Sequence, residues 1–440
     1  MIDPDLSGVV CFIVKHPDED FEKPNFSKIW SFRKALATSS AYFSIALDCN
    51  LTLPVNQNFF LHWFRSQLEF HLPFDMKKNL ILLLFFIGLS ELSAQQNHEK
   101  QALQGILEKQ LSTEIPGILF HVQSGNGEIN WSGAAGVSEK ESGEKLVSDQ
   151  TFRIASVTKT FVAASILRLW EEGKLQLEDP IATHVSDEHA QILRQDYDLD
   201  KISILQVLQH NAGFFDHTNA PVFFEKVLQP GGHKWTRTEQ LKLCVDAGNP
   251  VGSHGEKFSY SDTGYLILGE IIERIHGKNL GLAVPEILDF EKLGLENTAF
   301  EGLNPKVDQA RIHQYFQGKD TYLFHPSMDY FGGGGLLSTT EDLSQFFLAL
   351  FQGKVYKKAS TLEKMLEPVS YSEPPMMDYR IGIYRIEVNG LEAFAHAGFW
   401  GTQVIYIPSL DLAMATNYSQ IWQGRVPPVF GEALNALGGK

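Results

Sequence analysis

Ser156 and Lys159 are the residues of this chain whose types and spacing most directly suggest chemistry. They lie in residues 152–161, which lead into a helical pattern. A Ser followed three residues later by a Lys on one helix places hydroxyl and amine on the same face. If the amine is neutral part of the time, it can take the hydroxyl proton and leave a nucleophile. The alternative is a purely structural pair, a capping Ser followed by a solvent-exposed Lys, and motifs further along the chain must distinguish the two.

Two motifs follow in order along the chain. The first is Tyr260-Ser261-Asp262, and the second is His396-Ala397-Gly398. Alone, Tyr260 would be interpreted as a core aromatic and His396 as a structural histidine. Beside Ser156, the phenol of Tyr260 could relay a proton to a leaving group, and the motif around His396 favours a functional role.

These three motifs, in this order, resemble the serine β-lactamase and penicillin-binding-protein superfamily. The variant is similar to the branch of class C β-lactamases, D-alanyl-D-alanine carboxypeptidases, D-aminopeptidases and family VIII esterases. The context at residues 208–213 and 333–343 also matches, and the resemblance spans about residues 98–437. It implies acyl transfer through an acyl-Ser156 intermediate that water then hydrolyses. It does not select one substrate.

The resemblance also implies roles around the nucleophile. The backbone N–H groups of Ser156 and Phe399 would form an oxyanion hole, in which each donor typically contributes about 3 kcal/mol. Either Lys159 or Tyr260 could be the base, and this choice stays open. Near two cations the phenol pKa of Tyr260 would fall toward neutrality. Gly398, which has no side chain, would let substrate backbone lie along its strand.

Three positions differ from common patterns of the branch. Asp262 stands where Asn is usual, so it can only accept hydrogen bonds when ionised, and it would hold Lys159 more strongly. His396 replaces the Lys of many β-lactamases and is expected among the substrate-binding residues. Ala397 lacks the hydroxyl that would help bind a substrate carboxylate. Asp262 and Ala397 together argue against efficient β-lactam hydrolysis.

Composition narrows the function classes. The chain has 440 residues, 43% hydrophobic and 20% charged, with a formal net charge of −16. Without a Lys/Arg run, a nucleic-acid groove is not expected. No Cys/His cluster or H-E-x-x-H motif is present, so we expect no metal and no cofactor. The glycines at residues 332–335 lack P-loop spacing and predict a tight turn beside the cleft.

Residues 76–94 have the pattern of a secretory signal. Met76-Lys77-Lys78 precedes an apolar run of about ten residues and a small-residue end at Ala94. The run is too short to span a membrane, and a buried helix is the less favoured alternative. We expect an exported protein, periplasmic or secreted. Residues 1–75 are then an extension of doubtful origin, with Met76 as the start, or else an unusual N-terminal segment.

After such processing, residues 95–440 would form the hydrolase domain with Cys244 as its one cysteine. An apolar helical context predicts that this thiol is buried. With no Cys at the predicted cut, a stable membrane anchor is not expected. The resemblance implies a small-molecule or peptide substrate as the partner: a D-amino-acid peptide, an ester or a β-lactam.

Hydrophobic periodicity predicts the elements that must position the motifs. Gly125-Asn126-Gly127 predicts a hairpin turn, and Gly173 predicts the end of the helix that Ser156 begins. Helices are predicted over residues 101–111, 157–172, 202–210, 238–246, 263–276, 341–350 and 428–437, and strands over residues 117–123, 128–135, 379–388, 392–396, 402–407 and 412–416.

Strands at both ends with helices between them predict an α+β fold of the β-lactamase/transpeptidase type. One antiparallel sheet is built from both chain ends and flanked by helices, and a helical subdomain is inserted between its halves. The first-choice function is a D-Ala-D-Ala carboxypeptidase-like peptidase or amidase. A carboxylesterase or a β-lactamase of the same fold is the alternative. A catalytically weak module that binds cell-wall peptide also stays open.

Overall fold

The computed structural model describes residues 9–11, 31–33, 97–229, 232–304, 310–371, 375, 377–420 and 426–438. The chain divides into two compact units, Met1–Glu91 and Leu92–Lys440. In the first unit, strand β1 (Val9–Cys11) pairs antiparallel with strand β2 (Ser31–Arg33). The predicted signal segment and the rest of the N-terminal extension lie outside the described residues, so the proposed domain limits stay predictions.

The second unit holds both a large sheet and two small ones. Its described strands are β3 (Gly117–Ser124), β4 (Asn130–Gly136), β5 (Phe152–Arg153), β6 (Ala299–Phe300), β7 (Tyr315–Phe316), β8 (Lys319–Asp320), β9 (Leu336–Ser338), β10 (Asp378–Tyr379), β11 (Tyr384–Val388), β12 (Leu391–Gly398), β13 (Thr402–Ile407) and β14 (Leu412–Tyr418).

Seven of these strands form one antiparallel sheet in the order β10-β11-β12-β13-β14-β3-β4. Its N-terminal and C-terminal parts meet where β14 pairs with β3, from Leu412 opposite Ser124 to Tyr418 opposite Ile118. The sheet is therefore made from both ends of the unit, which confirms the predicted α+β architecture.

Apolar cores lie on both faces of this sheet. Along β3, Leu119 joins one core while Ile118 and Phe120 join the other, because successive strand residues point to opposite faces. The helix of residues 97–110 and the C-terminal helix Pro428–Ala436 cover one face. Helix Thr340–Phe351 covers the other, against β3, β13 and β14.

The helical region lies between β4 and β10 in the chain. β9 pairs with both β5 and β6 in a small sheet, which ties the start of the region to its later part. The described helices here are Thr158–Glu171, Asp187–Leu193, Ile204–Leu208, Pro221–Val227, Arg237–Asp246, Asp262–His276, Leu280–Leu288, Phe290–Leu293, Thr340–Phe351 and Ala359–Leu366.

Helix Thr158–Glu171, here called the Ser156 helix, is central to this region. Its residues from Thr158 to Leu167 are all buried, as expected for a helix inside a core rather than on a surface. It packs against helices Asp262–His276 and Leu280–Leu288. Gly173, in the left-handed conformation at φ 72°, follows its end as predicted.

The predicted strand over residues 379–388 is wrong as a single element. The ladder is interrupted between β10 and β11, where Gly382 adopts φ 68°. A Cβ at Gly382 would lie 2.4 Å from the Cβ of Ala163, so the chain bends here to pass closely over the Ser156 helix.

Cys244 is buried, as predicted. Within the described residues, no helix has the length and apolarity needed to cross a bilayer.

Candidate active site

Ser156 is presented by a tight turn. It lies in the 3₁₀ turn Ala155–Val157, directly before the Ser156 helix. Ala155 adopts φ 45°, a left-handed conformation that costs a residue with a side chain about 1–3 kcal/mol. The Ile154 N–H donates to the Leu336 carbonyl at 3.0 Å, so a hydrogen bond to β9 anchors the start of the turn. The strain and this anchor together hold the half-buried Ser156 at one place.

Lys159 lies one helical turn from Ser156 and is fully buried. Its Nζ is 2.9 Å from the Ser156 Oγ and 2.6 Å from the Gly333 carbonyl oxygen, and it forms an ion pair with Asp262. An ammonium group has three N–H donors, and each of them has an acceptor here. The geometry therefore surrounds the Lys159 Nζ with three oxygen acceptors, and its role as a base stays a prediction. The glycine turn at residues 332–335 borders the site, as predicted.

Asp262 is the first residue of helix Asp262–His276. A carboxylate at a helix N-terminus is stabilised by the helix dipole. Its side chain is 18% exposed, while the Lys159 side chain is fully enclosed. The ion pair thus crosses from one helix to another and joins the first two motifs. Removing one partner of such an enclosed pair typically costs about 3–5 kcal/mol, because the other charge stays buried.

Tyr260 faces both members of the first motif. Its ring centroid is 5.0 Å from the Lys159 Nζ, and its phenol interacts with the Ser156 side chain. Burial raises the pKa of the Tyr260 phenol well above its usual value, and the charge of Asp262 raises it further. The sequence-based expectation of a phenol pKa near neutrality is therefore wrong.

The reason lies in the charges around the ring. Asp262 offsets the charge of Lys159, so the field that would stabilise a phenolate is lost. His210, whose ring lies 4.2 Å from the Tyr260 ring, adds no charge, since burial lowers its pKa well below the ordinary value. Tyr260 is thus held as a phenol, which can donate a proton to a leaving group.

Two further carboxyl groups face this centre. Burial first, and then the charge of Asp262, raise the pKa of both Asp216 and Asp329 to about 6. The Asp329 carboxyl packs on Gly334, where a Cβ would lie 2.4 Å from its carboxyl carbon. Asp216 accepts a hydrogen bond from the Thr218 N–H at 3.0 Å. Above pH 6 the surroundings of Lys159 therefore carry net negative charge.

His396 is buried and lies near the centre. It is 1% exposed, its Nδ1 is 2.9 Å from the Ala397 carbonyl oxygen, and its Nε2 is 3.5 Å from the Tyr379 hydroxyl. Burial and the charge of Lys159 lower its pKa to about 3, so the ring is neutral. The sequence placed His396 among the substrate-binding residues, and that role stays a prediction.

The end of β12 lies against the nucleophile turn. A Cβ at Gly398 would lie 2.1 Å from the Ile154 carbonyl oxygen and 3.3 Å from the Ala155 Cβ. The glycine is thus required by the close approach of the protein's own backbone, and its role in making room for a substrate stays a prediction. Ala397 is exposed and Phe399 is half-buried. Phe399 follows directly after Gly398, and its role as an oxyanion donor stays a prediction.

The structure thus joins Ser156, Lys159, Tyr260 and Asp262 by direct contacts, with Gly398 bringing Phe399 alongside. Sequence reasoning missed Asp216, Asp329 and Tyr379, which belong to no motif. The available signal was weak: each acid lies between large apolar or aromatic neighbours, as in Phe215-Asp216-His217 and Met328-Asp329-Tyr330. Such a context predicts burial, but it does not predict which site receives the residue.

Comparison with known proteins identifies the family of the chain. The family described as Beta-lactamase matches residues 97–423. An N-acetylmuramyl-L-alanine amidase of Bacillus subtilis (strain 168) is 23% identical over 356 residues, 70% of this chain and 78% of the relative. A teichoic acid D-alanine hydrolase of Staphylococcus aureus is 22% identical over 322 residues, 70% of this chain and 72% of the relative.

Among solved structures, a D-stereospecific amidohydrolase from Streptomyces sp. superposes with a TM-score of 0.65 at 25% identity. The match covers 78% of this chain and 99% of that one. Because the family match extends over most of the chain and its fold is that of these hydrolases, the protein belongs to the β-lactamase family and is a serine hydrolase.

Proposed function

We propose that this protein hydrolyses amides or esters of D-amino acids whose α-amino group is free, through an acyl-Ser156 intermediate. The observation that supports it is the negative charge of Asp216, Asp262 and Asp329 around the ammonium of Lys159. In such a site an α-ammonium on the acyl group is attracted, whereas a carboxylate is repelled.

The same charges bear on the other specificities that the sequence left open. A D-Ala-D-Ala carboxypeptidase and a β-lactamase both act on substrates that carry a carboxylate, which needs a cation or a hydroxyl group nearby. Ala397 has no hydroxyl, and His396 is neutral and buried. Amidase or esterase activity on an ammonium-bearing acyl group therefore fits the site better than either.

The names of the relatives favour the same acyl chemistry. One is called a teichoic acid D-alanine hydrolase, and another solved protein is called a D-stereospecific amidohydrolase. They support a D-amino acid as acyl group and leave both an amide and an ester possible as the bond that is cleaved. We further propose export to the periplasm or the medium, on the basis of the signal pattern at residues 76–94.

The test compares two p-nitroanilides that differ only in the α-amino group, those of D-alanine and propionic acid. We expect a kcat/KM preference of about tenfold or more for the D-alanine compound at pH 7. The preference should shrink as the pH falls through about 6, because Asp216 and Asp329 then gain protons and lose their charge. The L-alanine compound is the stereochemical control.

Two outcomes would refute the proposal. One is equal or faster hydrolysis of the propionyl compound at pH 7. The other is faster release of D-alanine from an N-acylated D-Ala-D-Ala peptide than of p-nitroaniline from the D-alanine compound, which would restore the carboxypeptidase interpretation.

A further inference from the structure

Three phenylalanine side chains form what we call the aromatic wall: Phe224, Phe316 and Phe399. The ring centroids lie 5.9 Å apart for Phe224 and Phe316, 5.9 Å for Phe224 and Phe399, and 5.1 Å for Phe316 and Phe399. All three rings are half-buried. They come from helix Pro221–Val227, from β7 and from the turn after β12. Three distant segments thus converge to present partly exposed ring surface at one place.

Buried aromatic rings support the wall from behind. Phe223 stacks on Trp235 at 5.1 Å, and Phe399 meets Trp400 edge-on at 4.8 Å. Trp235 is 2% exposed and Trp400 is 3% exposed. The wall is therefore the outer layer of a packed cluster, which limits its rearrangement when a ligand binds.

The wall begins next to the nucleophile. Ala155, the residue before Ser156, belongs to the same apolar cluster as Phe223 and Trp400. Gly398, the residue before Phe399, packs against the Ile154 carbonyl and Ala155. Rings that only covered the core would not have to lie next to the nucleophile. Aromatic surface that stays partly exposed beside a nucleophile is a usual lining of a small-molecule site.

The wall also lies near Asp216, one of the carboxyl groups assigned to the α-ammonium. His217 follows Asp216 in the chain, and its ring meets that of Phe223 edge-on at 5.2 Å. Phe224, a member of the wall, is the residue after Phe223. In an amino-acyl group the α-ammonium and the side chain are attached to the same carbon. An ammonium held near Asp216 therefore directs the side chain of that acyl group toward neighbouring surface.

We propose that the aromatic wall is the subsite for an aromatic side chain of the acyl group, so that aromatic D-amino acid derivatives are preferred over D-alanine derivatives. This inference rests on the proposed acyl-Ser156 chemistry and adds the side-chain class. Offset and edge-on contacts with two or three rings suit a benzyl or indolyl group, and they discriminate against a methyl group, which offers far less area.

The test measures kcat/KM for the p-nitroanilides of D-phenylalanine and D-alanine. We expect the unchanged protein to prefer D-phenylalanine, and Phe224→Ala and Phe316→Ala each to lower that ratio by about tenfold. Phe224→Leu, which keeps apolar volume and loses the ring, should lower it less. Leu228→Ala is the matched control, because Leu228 follows the same helix, is 37% exposed and lies outside the wall; its ratio should not change.

A second substrate pair separates this inference from the proposed function. The p-nitrophenyl esters of 3-phenylpropionic and propionic acid lack the α-ammonium, so the ratio of their kcat/KM values depends on the wall alone. If D-aminoacyl compounds are not cleaved but this ratio falls in Phe224→Ala, the wall stands and the ammonium proposal fails. The wall proposal is overturned if both variants keep the natural ratio for the esters, or lose activity equally on both esters, with melting temperatures confirming that they fold.

Discussion

The carboxylate of Asp262 holds the ammonium of Lys159, whose Nζ is 2.9 Å from the Ser156 hydroxyl oxygen. Hydroxyl, amine and carboxylate therefore form one continuous chain. An ammonium must give up a proton before its nitrogen can take that of Ser156 as the hydroxyl attacks, and a carboxylate in contact with it opposes this loss. Burial holds Tyr260 as a phenol, which suits it to donate a proton to the leaving group.

Ser156→Ala should abolish covalent labelling by a fluorophosphonate probe, because Ser156 is the hydroxyl in contact with Lys159. Intact-protein mass spectrometry measures the label, and a melting curve confirms the fold. Ser165→Ala is the matched control: Ser165 lies on the same helix, but it is buried and its hydroxyl donates to the Phe161 carbonyl. Labelling that persists in Ser156→Ala at another serine would disprove the assignment.

The double change Asp262→Asn with Ala397→Thr should raise β-lactam acylation more than ester hydrolysis. Asn removes a negative charge beside Lys159, and Thr supplies the hydroxyl that Ala397 lacks. Each new charge-assisted hydrogen bond to the substrate is worth about 1.5–3 kcal/mol, or about one to two decades in rate. The measurement is the acylation rate with a chromogenic cephalosporin and kcat/KM with a p-nitrophenyl ester.

The unchanged protein with the same two substrates is the control for this pair of changes. We expect it to turn over the cephalosporin slowly. If it already hydrolyses a cephalosporin faster than any ester or D-aminoacyl compound tested, neither the amide at position 262 nor the hydroxyl at position 397 is needed, and this ranking of substrates is wrong.

The chemistry of the site could be predicted further than its surroundings. Ser156 and Lys159 had to meet because one helical turn joins them, and the motif order predicted that Tyr260 and Asp262 would join them. Asp216 and Asp329 lie in irregular segments, where no period links sequence to position. Their pKa values depend on burial and on the charge of Asp262, which exist only once the chain has folded.

The elements of the fold also divide into those that the sequence predicted and those that it did not. Long buried strands such as β3 and β14 were predicted within one or two residues, because unbroken apolar runs and flanking turns mark them. The helices Asp187–Leu193, Pro221–Val227, Leu280–Leu288, Phe290–Leu293 and Ala359–Leu366 were missed. They are short, so few residues are available to display a period, and tertiary packing rather than local preference makes them helical.

Asp329→Asn should stabilise the protein at pH 8. The Asp329 pKa of about 6 in the folded state lies above the ordinary value near 3.9. Between pH 4 and 6 the unfolded chain is therefore ionised at this position while the folded protein is not, so the natural protein loses stability as the pH rises through this window. The shift of about two units corresponds to at most about 3 kcal/mol, which Asn would restore.

Urea unfolding midpoints at pH 4 and pH 8 measure this effect. The gain of Asp329→Asn should be present at pH 8 and small at pH 4. Asp200→Asn is the control, because Asp200 is exposed, and its hydrogen bond with Arg194 lowers its pKa; this change should not stabilise at pH 8. An equal gain for Asp329→Asn at both pH values would mean that charge burial is not the cause.

Export should begin at Met76. A chain that starts there and is expressed in a Gram-negative host should yield periplasmic protein with its N-terminus near Gln95. Two lysines before an apolar run are the pattern of a secretory signal, and the small residue Ala94 would supply its cleavage point. N-terminal sequencing of the periplasmic fraction measures this. In the matched variant, Leu83→Asp with Leu84→Asp interrupts the apolar run and should leave the protein uncleaved in the cytoplasm. The full chain is expressed in parallel. Periplasmic protein that retains residues before Met76 would refute this start.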